Sequence, residues 1–233
     1  MIFGLYSYDW TILLVIPGLI ISLWAQIKVN SAFSKYSKMS TRKGLTGSMA
    51  ARQILDANGL SNVRIEQIAG ELSDHYDPKA NVIRLSSAVH SSSSPAAIGV
   101  AAHEAGHAIQ YAKGYAPIKL RAGMISITRI GSTLAMPIFF IGLLFALPEL
   151  CTVGIFLYTA IVAFQLVTLP VEFNASARAL SVLKSSQMLN KEELKASKKV
   201  LSAAAMTYVA ALLTAVLTLL RLILLSGRSN RRD

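Results

Sequence analysis

Residues 150–169 read LCTVGIFLYTAIVAFQLVTL, a run of 20 residues without a charged side chain. An α-helix rises about 1.5 Å per residue, so a run of about 20 apolar residues can cross the hydrocarbon core of a bilayer. Three further segments have the same character, namely residues 10–27, 130–147 and 200–220. The sequence therefore predicts a mainly α-helical integral membrane protein with four transmembrane helices.

The composition supports a membrane protein. Hydrophobic residues make up 53% and charged residues 15% of the 233 positions, which is more apolar than a typical soluble domain. The net charge of +11 could indicate nucleic-acid binding, but the basic residues flank the predicted spans and no nucleic-acid-binding module is recognisable. We expect contact with the lipid bilayer and no nucleic acid. The single cysteine, Cys151, excludes an internal disulfide and a cysteine-based zinc site.

The distribution of Lys and Arg predicts the orientation in the membrane. None precedes the first span, thirteen lie within residues 28–129, none lies within residues 148–150, and six lie within residues 178–199. Because cytoplasmic segments carry an excess of basic residues, we expect an external amino terminus and two cytoplasmic segments in a multi-pass protein of the cell membrane. Four spans would place the basic tail, residues 227–233, outside, so its orientation stays open.

A small α+β domain is predicted between the first two spans. Residues 46–58 have apolar positions with helical spacing and end in Asn-Gly, a common helix stop. Residues 63–65 and 81–85 are rich in β-branched side chains, and Asp77 and Pro78 between them favour a turn. This pattern predicts a small antiparallel sheet or hairpin.

A helix predicted over residues 96–112 carries the sequence HEAGH. Four serines followed by Pro95 supply a capping hydroxyl and a first-turn proline for its start. His103 and His107 are four residues apart, so on a helix they lie on one face and can bind one ion. Zn²⁺ suits this pair, because catalytic zinc sites use three protein ligands and leave a position for water. Glu104 would then be the general base for that water.

Glu172 is predicted to be the third metal ligand. An acidic residue inside or beside a membrane span is costly, and it is therefore a candidate functional residue. Glu172 directly follows the third predicted span. Two spans separate it from His107, and an even number of crossings returns the chain to the same side of the membrane. The other two histidines, His75 and His90, are the alternative ligands.

Three stretches resemble the YugP-type family of membrane zinc metallopeptidases, namely LSDHYDP at residues 72–78, AHEAGHAIQ at residues 102–110 and LPVEFNAS at residues 169–176. The resemblance covers nearly the whole chain, and a more distant one extends to the HtpX-type gluzincin membrane proteases. It implies a zincin-like domain with Glu172 as the third zinc ligand. Those relatives carry an aspartate four residues after the ligand glutamate, where this chain has Ser176.

The reaction also requires a group that stabilises the oxyanion. Arg178, His75 and Tyr111 are candidates by residue type, and the sequence does not choose among them. The strand over residues 82–85 could bind substrate as an added strand, the alternative being a purely structural strand.

These interpretations divide the chain into six segments. They are a first transmembrane anchor (1–29), a cytoplasmic zincin-like domain with the HEAGH helix (30–127), a transmembrane hairpin (128–170), a cytoplasmic helix with the third zinc ligand (171–199), a fourth transmembrane helix (200–226) and a basic tail (227–233).

The predicted function is that of a zinc-dependent endopeptidase, which hydrolyses peptide bonds of membrane or membrane-proximal proteins by means of a zinc-activated water. Two alternatives stay open. One is a site-2-type intramembrane protease, in which the HEAGH motif lies inside a spanning helix, and the other is a catalytically silent zinc-binding scaffold. The sequence does not indicate the substrate, the oligomeric state or a protein partner.

Overall fold

The computed structural model describes residues 9–70 and 73–229, with side chains described as far as Gly227. The helices of this part are α1 (Ile16–Ser37), α2 (Gly47–Ala57), α3 (Ser87–His90), α4 (Pro95–Ala112), α5 (Ala116–Leu144), α6 (Pro148–Ser185) and α7 (Lys191–Ser229). The strands are β1 (Arg64–Ile68), β2 (His75–Asp77) and β3 (Val82–Ser86). Leu72 of the LSDHYDP stretch and the side chains of the basic tail beyond Gly227 lie outside the described residues.

Four helices of the described residues are long and apolar enough to cross a membrane. They are Trp10–Ser37, which joins a 3₁₀ turn (Trp10–Leu14) to α1, and Ala116–Leu144, Pro148–Ser185 and Lys191–Gly227. The predicted number of candidate spans is confirmed. Three of these helices contain the whole apolar run that predicted them, whereas α5 begins well before its run and ends at Leu144, before the predicted end at residue 147. The run marks what can be embedded in lipid and not where the helix begins or ends.

The third candidate span differs from the prediction at its end. Helix α6 continues through Pro170 to Ser185, although the apolar run ends at Leu169. An internal proline removes one backbone donor, which membrane helices tolerate because the surrounding structure satisfies the freed group. Glu172 therefore lies inside a continuous helix, and the segment predicted as one helix over residues 171–199 is divided between α6 and α7.

The chain forms two compact units. The first contains the described residues of Met1–Trp24, Arg121–Val167 and Tyr208–Asp233. Its helices approach closely at glycines: a Cβ built on Gly154 of α6 would lie 2.7 Å from the Cβ of Phe139 in α5. In lipid the hydrophobic effect does not drive helices together. Small residues at such contacts let the helices approach closely, so that van der Waals packing can hold them.

An ion pair lies within this first unit. An Nη atom of Arg221, near the end of α7, is 2.9 Å from an Oδ atom of Asp9. The same aspartate caps the 3₁₀ turn Trp10–Leu14 by accepting the backbone N–H of Thr11. The pair thus links the residue before this turn to the last candidate span.

The second unit is made of Ala25–Leu120 and Thr168–Thr207 and contains the sheet. The strand order is β1-β3-β2, with β1 parallel and β2 antiparallel to β3. The predicted antiparallel pairing of residues 63–65 with residues 81–85 is therefore wrong, because the short strand β2 returns the chain between them. Strand β3 is central and paired on both sides, so it is a structural strand and offers no free edge to a substrate.

The polar residues of the DHYDP sequence hold this short returning strand in place. Asp77 accepts two backbone N–H groups of the following turn, as an aspartate commonly does. The Tyr76 hydroxyl donates to Asn81, which has a positive φ of 51° at the end of the turn. Asp74 accepts the backbone N–H and the hydroxyl of Ser86 at the end of β3. These contacts give the sequence a structural role in the β2–β3 hairpin.

Helix α4 is the central element of the second unit. Its predicted start is confirmed, since the Ser94 hydroxyl accepts the backbone N–H of Ala97 and Pro95 occupies the first turn. The helix packs against α2, and its alanines are buried in the main core of the unit. It is also fixed to α7, where the Ser197 hydroxyl donates to the backbone carbonyl of Pro95. The polar face of α4 is consequently held in one orientation.

Candidate metal centre

Helix α4 presents two imidazoles side by side. The ring centroids of His103 and His107 are 4.7 Å apart, and the two planes are nearly perpendicular. His107 is buried, while His103 is partly exposed. The carboxyl group of Glu104 is also buried. Burial of polar side chains on an otherwise apolar helix requires partners for them.

Glu172 supplies the partner from α6. One carboxylate oxygen, Oε2, is 3.2 Å from Nε2 of His103 and 3.6 Å from Nε2 of His107. The three ligand atoms all lie within 4.8 Å of one another, and no other group of three His, Cys, Asp or Glu residues in the described parts of the chain meets this condition. The structure thus brings together the residues that the sequence predicts as metal ligands.

The donor set fits zinc. Zn–N and Zn–O bonds of about 2.0–2.1 Å at tetrahedral angles require neighbouring donor atoms to be about 3.3 Å apart. The separations of 3.2 and 3.6 Å between Glu172 and the two histidines are close to that value. Two imidazole nitrogens and one carboxylate oxygen are also the donor types of a three-ligand catalytic zinc site.

The two helices can supply these ligands because they nearly touch. A Cβ built on Gly106 would lie 2.8 Å from the carbonyl oxygen of Ala175, which is closer than real Cβ atoms come. Gly106 lies between the two histidines on α4, and Ala175 is three residues after Glu172 on α6. The missing side chain therefore brings the ligand-bearing faces of α4 and α6 within reach of one ion.

The outer nitrogen of each imidazole has a hydrogen-bond partner. Nδ1 of His103 is 3.1 Å from the hydroxyl of Ser176, one turn after Glu172 on α6. Nδ1 of His107 is 2.9 Å from Oε1 of Gln110. Histidine ligands generally bond through the second nitrogen in this way, because the partner fixes the ring and its tautomer. Ser176 thus contacts His103 at the position where the more distant relatives carry an aspartate.

A further set of contacts continues from Gln110 into α6. Its Nε2 donates to the backbone carbonyl of Val171 at 2.8 Å and to Oδ1 of Asn174 at 3.0 Å. The same Oδ1 accepts from Nε of Arg178 at 2.7 Å. Arg178 is therefore connected to His107 through two amide side chains.

Burial and charge alter the protonation of the site. Burial raises the pKa of Glu104; the nearby His107 and His103 oppose this effect, and the carboxylates of Glu172 and Asp74 reinforce it. Burial disfavours charged His107, but its bonds to Glu172 and Gln110 and the neighbouring carboxylates raise its pKa overall. A glutamate whose pKa is raised above its ordinary value is better suited to accept a proton.

Two other histidines that the sequence offers as ligands are not among the converging residues. His75 is exposed on β2, where Nδ1 is 2.8 Å from the Ser73 carbonyl and Nε2 is 3.4 Å from an Arg84 nitrogen. Nδ1 of His90 is 3.2 Å from the Ser91 hydroxyl. Neither histidine belongs to the group of converging ligand atoms.

From the sequence, Gln110 is either a helix-surface or a site-lining residue, and Asn174 has no predicted role; in the structure both contact the site. Gln110 follows His107 by three residues, a spacing that places both on one helical face, and it has no exposed surface. A fully buried glutamine needs several partners, but its partners lie on a helix distant in sequence. The pattern could thus identify Gln110 as a site residue, whereas the role of Asn174 depended on the packing of α6.

Comparison with known proteins agrees with these observations. A family model described as "Putative neutral zinc metallopeptidase" matches residues 11–227. A protein of Bacillus subtilis (strain 168) with the name "Putative membrane protease YugP" is 47% identical over 219 residues, which cover 93% of this chain and 97% of the relative. No solved structure matches the chain significantly. With its four apolar helices, the chain is a multi-pass membrane protein that belongs to the YugP-type family of zinc metallopeptidases, whose cofactor is Zn²⁺.

Proposed function

We propose that His103, His107 and Glu172 bind the zinc ion of an endopeptidase in which Glu104 is the general base. The observation that carries this proposal is the convergence of three ligand atoms within 4.8 Å, next to the buried carboxyl group of Glu104. This arrangement combines the cofactor of the family with a proton acceptor on the same helix. The motif and the third ligand together correspond to a gluzincin-like site.

Peptide hydrolysis requires water to attack the scissile carbonyl and a proton to reach the leaving amine. A bound Zn²⁺ polarises the carbonyl and acidifies water. Glu104 accepts the water proton at a carboxylate oxygen and transfers it to the nitrogen of the leaving amine, so that the C–N bond breaks. Burial of Glu104 favours its protonated form, which supports its acceptance of the water proton.

For the oxyanion we favour Tyr111 among the candidates. Tyr111 follows His107 by four residues, so the two share one face of α4. Its ring packs 5.7 Å from that of Tyr76. Arg178 instead donates to Asn174, and His75 bonds within its own sheet. Tyr111→Phe should therefore lower kcat while leaving the zinc content unchanged, whereas His75→Ala should change neither.

The substrate would bind along the outer edge of β2. This strand is an edge of the sheet, and the contact between Tyr76 and Tyr111 joins it to the metal-binding helix. An extended peptide added to such an edge is recognised mainly through its backbone, which predicts modest sequence specificity. We infer that the substrates are membrane or membrane-proximal proteins and that the zincin-like domain is cytoplasmic, as the distribution of Lys and Arg favours.

The decisive experiment uses the purified full-length protein in lipid vesicles. Wild type should contain about one zinc per chain by the single-site stoichiometry. Glu104→Gln should retain the zinc, but its rate of proteolysis against a library of membrane proteins should fall about 10²- to 10⁴-fold. Glu66→Gln, at a partly exposed position of strand β1, is the matched control and should behave like wild type. A fully active Glu104→Gln variant would contradict the mechanism.

The alternatives predict other results. For a site-2-type protease the HEAGH helix would have to cross the membrane, but α4 is not among the candidate spans of the described residues. A silent scaffold would bind zinc and cleave nothing in the library. Zinc binding without cleavage would therefore favour the scaffold, and loss of zinc in His103→Ala would identify the site in either case.

A further inference from the structure

We propose that Gln110 is a positioning residue that makes Nδ1 of His107 a hydrogen-bond donor, and that Arg178 imposes the orientation of Gln110 through Asn174. The inference rests on the proposed zinc site. It concerns how the chain keeps one nitrogen of His107 available to the metal.

Arg178 determines the direction of the hydrogen bonds that lead to His107. A guanidinium group only donates hydrogen bonds, and Nε of Arg178 is 2.7 Å from the side-chain amide of Asn174. The atom of Asn174 at this position must therefore be its oxygen. If the amide were reversed, its NH₂ group would face the N–H of Arg178 and no bond would form.

The second step fixes Gln110. The oxygen of Asn174 and the backbone carbonyl of Val171 are both acceptors, and they lie 3.0 and 2.8 Å from the same terminal atom of the Gln110 side chain. That atom must be the NH₂ nitrogen, since an oxygen there would face two oxygens. Gln110 has no exposed surface, so a reversed amide could not turn to bulk water for compensation.

The third step reaches the imidazole. With its nitrogen held by α6, Gln110 presents its oxygen to Nδ1 of His107 at 2.9 Å. This oxygen only accepts, so Nδ1 must carry a proton. In the neutral ring the lone pair is then on Nε2, which faces Glu172. A metal ion bound between Nε2 and the carboxylate would satisfy both of these groups.

The two histidines differ in this respect. His103 is paired with the Ser176 hydroxyl, which can rotate and either donate or accept. Only His107 faces a partner of fixed polarity. The chain thus specifies the tautomer of one ligand rigidly and leaves the other adaptable.

The test compares zinc affinity among variants of the full-length protein by competition with a chromophoric chelator. Gln110→Leu should weaken zinc binding about 10- to 100-fold, the usual effect of removing a histidine's outer partner. In its protonated form, Gln110→Glu donates from one oxygen to the acceptors of α6 and keeps the other as an acceptor for Nδ1, so it should bind zinc more tightly than Gln110→Leu. Gln67→Leu is the matched control, since Gln67 contacts Ser87 and not the site, and it should leave the affinity unchanged.

The order of the two Gln110 variants separates positioning from packing. A residue that only fills space would be replaced better by leucine than by a buried carboxylate. Equal zinc affinity in wild type and Gln110→Leu, or tighter binding in Gln110→Leu than in Gln110→Glu, would overturn the proposal. If wild type itself binds no zinc, the proposed function is wrong. This outcome differs from one in which wild type binds zinc and the Gln110 variants contradict the role of Gln110.

A spectroscopic measurement observes the wild-type site directly. In zinc-loaded wild type labelled with ¹⁵N-histidine, His107 should coordinate through Nε2 and show a slowly exchanging Nδ1–H proton. Its resonance can be assigned by its absence in His107→Gln. Coordination through Nδ1, or a rapidly exchanging Nδ1 proton, would contradict the inference.

Discussion

Gly106 lies so close to Ala175 that a Cβ on the glycine would be 2.8 Å from the alanine's carbonyl oxygen. Backbone, and not a flexible side chain, occupies the space, so the contact cannot relax cheaply. It sets the distance between the helix with both histidines and the helix with Glu172.

Gly106→Ala should consequently push α4 and α6 apart and disrupt the ligand set. We expect zinc affinity to fall about tenfold or more, as measured by chelator competition. The matched control is Gly123→Ala on α5, where nothing lies within 4 Å of the added methyl group. Unchanged zinc affinity in Gly106→Ala would mean that the helices are not held together at this point.

Ser176→Ala should weaken zinc binding less than Gln110→Leu does. The hydroxyl contacts Nδ1 of His103, which is partly exposed, so water can replace it. We expect a loss of a few-fold, below the roughly tenfold lower limit for removal of a fixed partner. The same competition assay measures both variants, and an equal loss in the two would argue against a special role for Gln110.

The stability of the metal-free protein should depend on Glu104 in a pH-dependent way. Burial raises the pKa of Glu104 in the folded state above its ordinary value of 4.5, so the protonated form favours folding. The contribution of protonated Glu104 to the free energy of unfolding is fully present below the unfolded-state pKa. It is lost as the pH rises through the folded-state pKa.

Glu104→Gln removes this titration, because glutamine stays neutral at every pH. The melting temperature of metal-free Glu104→Gln should therefore exceed that of wild type by a margin that grows from about pH 4 to neutral pH. Thermal unfolding at several pH values, with a chelator present, measures the margin. A constant margin over this range would contradict the raised pKa.

Substitutions of Arg221 and Asp9 should have coupled effects on the melting temperature. Their side-chain atoms are 2.9 Å apart, and removal of one leaves the other charge unpaired beside apolar helices. Arg221→Leu alone should thus lower the melting temperature more than the double variant Asp9→Asn with Arg221→Leu. Strictly additive effects would show that the pair is not coupled.

Short-range patterns in the sequence predicted much of the fold and of the candidate site. The spacing of His103 and His107 depends on one helical turn, and the start of α4 depends on Ser94 and Pro95. Both features could therefore be predicted from residues that are neighbours in the sequence. Glu172 required an argument about charge near a membrane, together with a family resemblance. These features depend on few residues and on interactions that the helix itself dictates.

Long-range pairing could not be predicted in the same way. Strand β2 has three residues, too few for a periodic pattern, and without it the parallel pairing of β1 with β3 was not apparent. The apolar run that predicted the third span ends at Leu169, whereas the helix continues to Ser185. The orientation of Gln110 depends on Asn174 and Arg178, which reach it only after α6 has packed.

The distance in sequence between the ligands also has a consequence for biosynthesis. Glu172 contacts His103 from 69 residues further along the chain. At a synthesis rate of about 5–20 residues per second, roughly 3 to 14 s pass between translation of the two residues. During this interval a nascent chain has two of the three proposed ligands, so at the proposed zinc site it cannot yet be a competent protease. The other proteins being inserted beside it are therefore spared until α6, which carries Glu172, has been made.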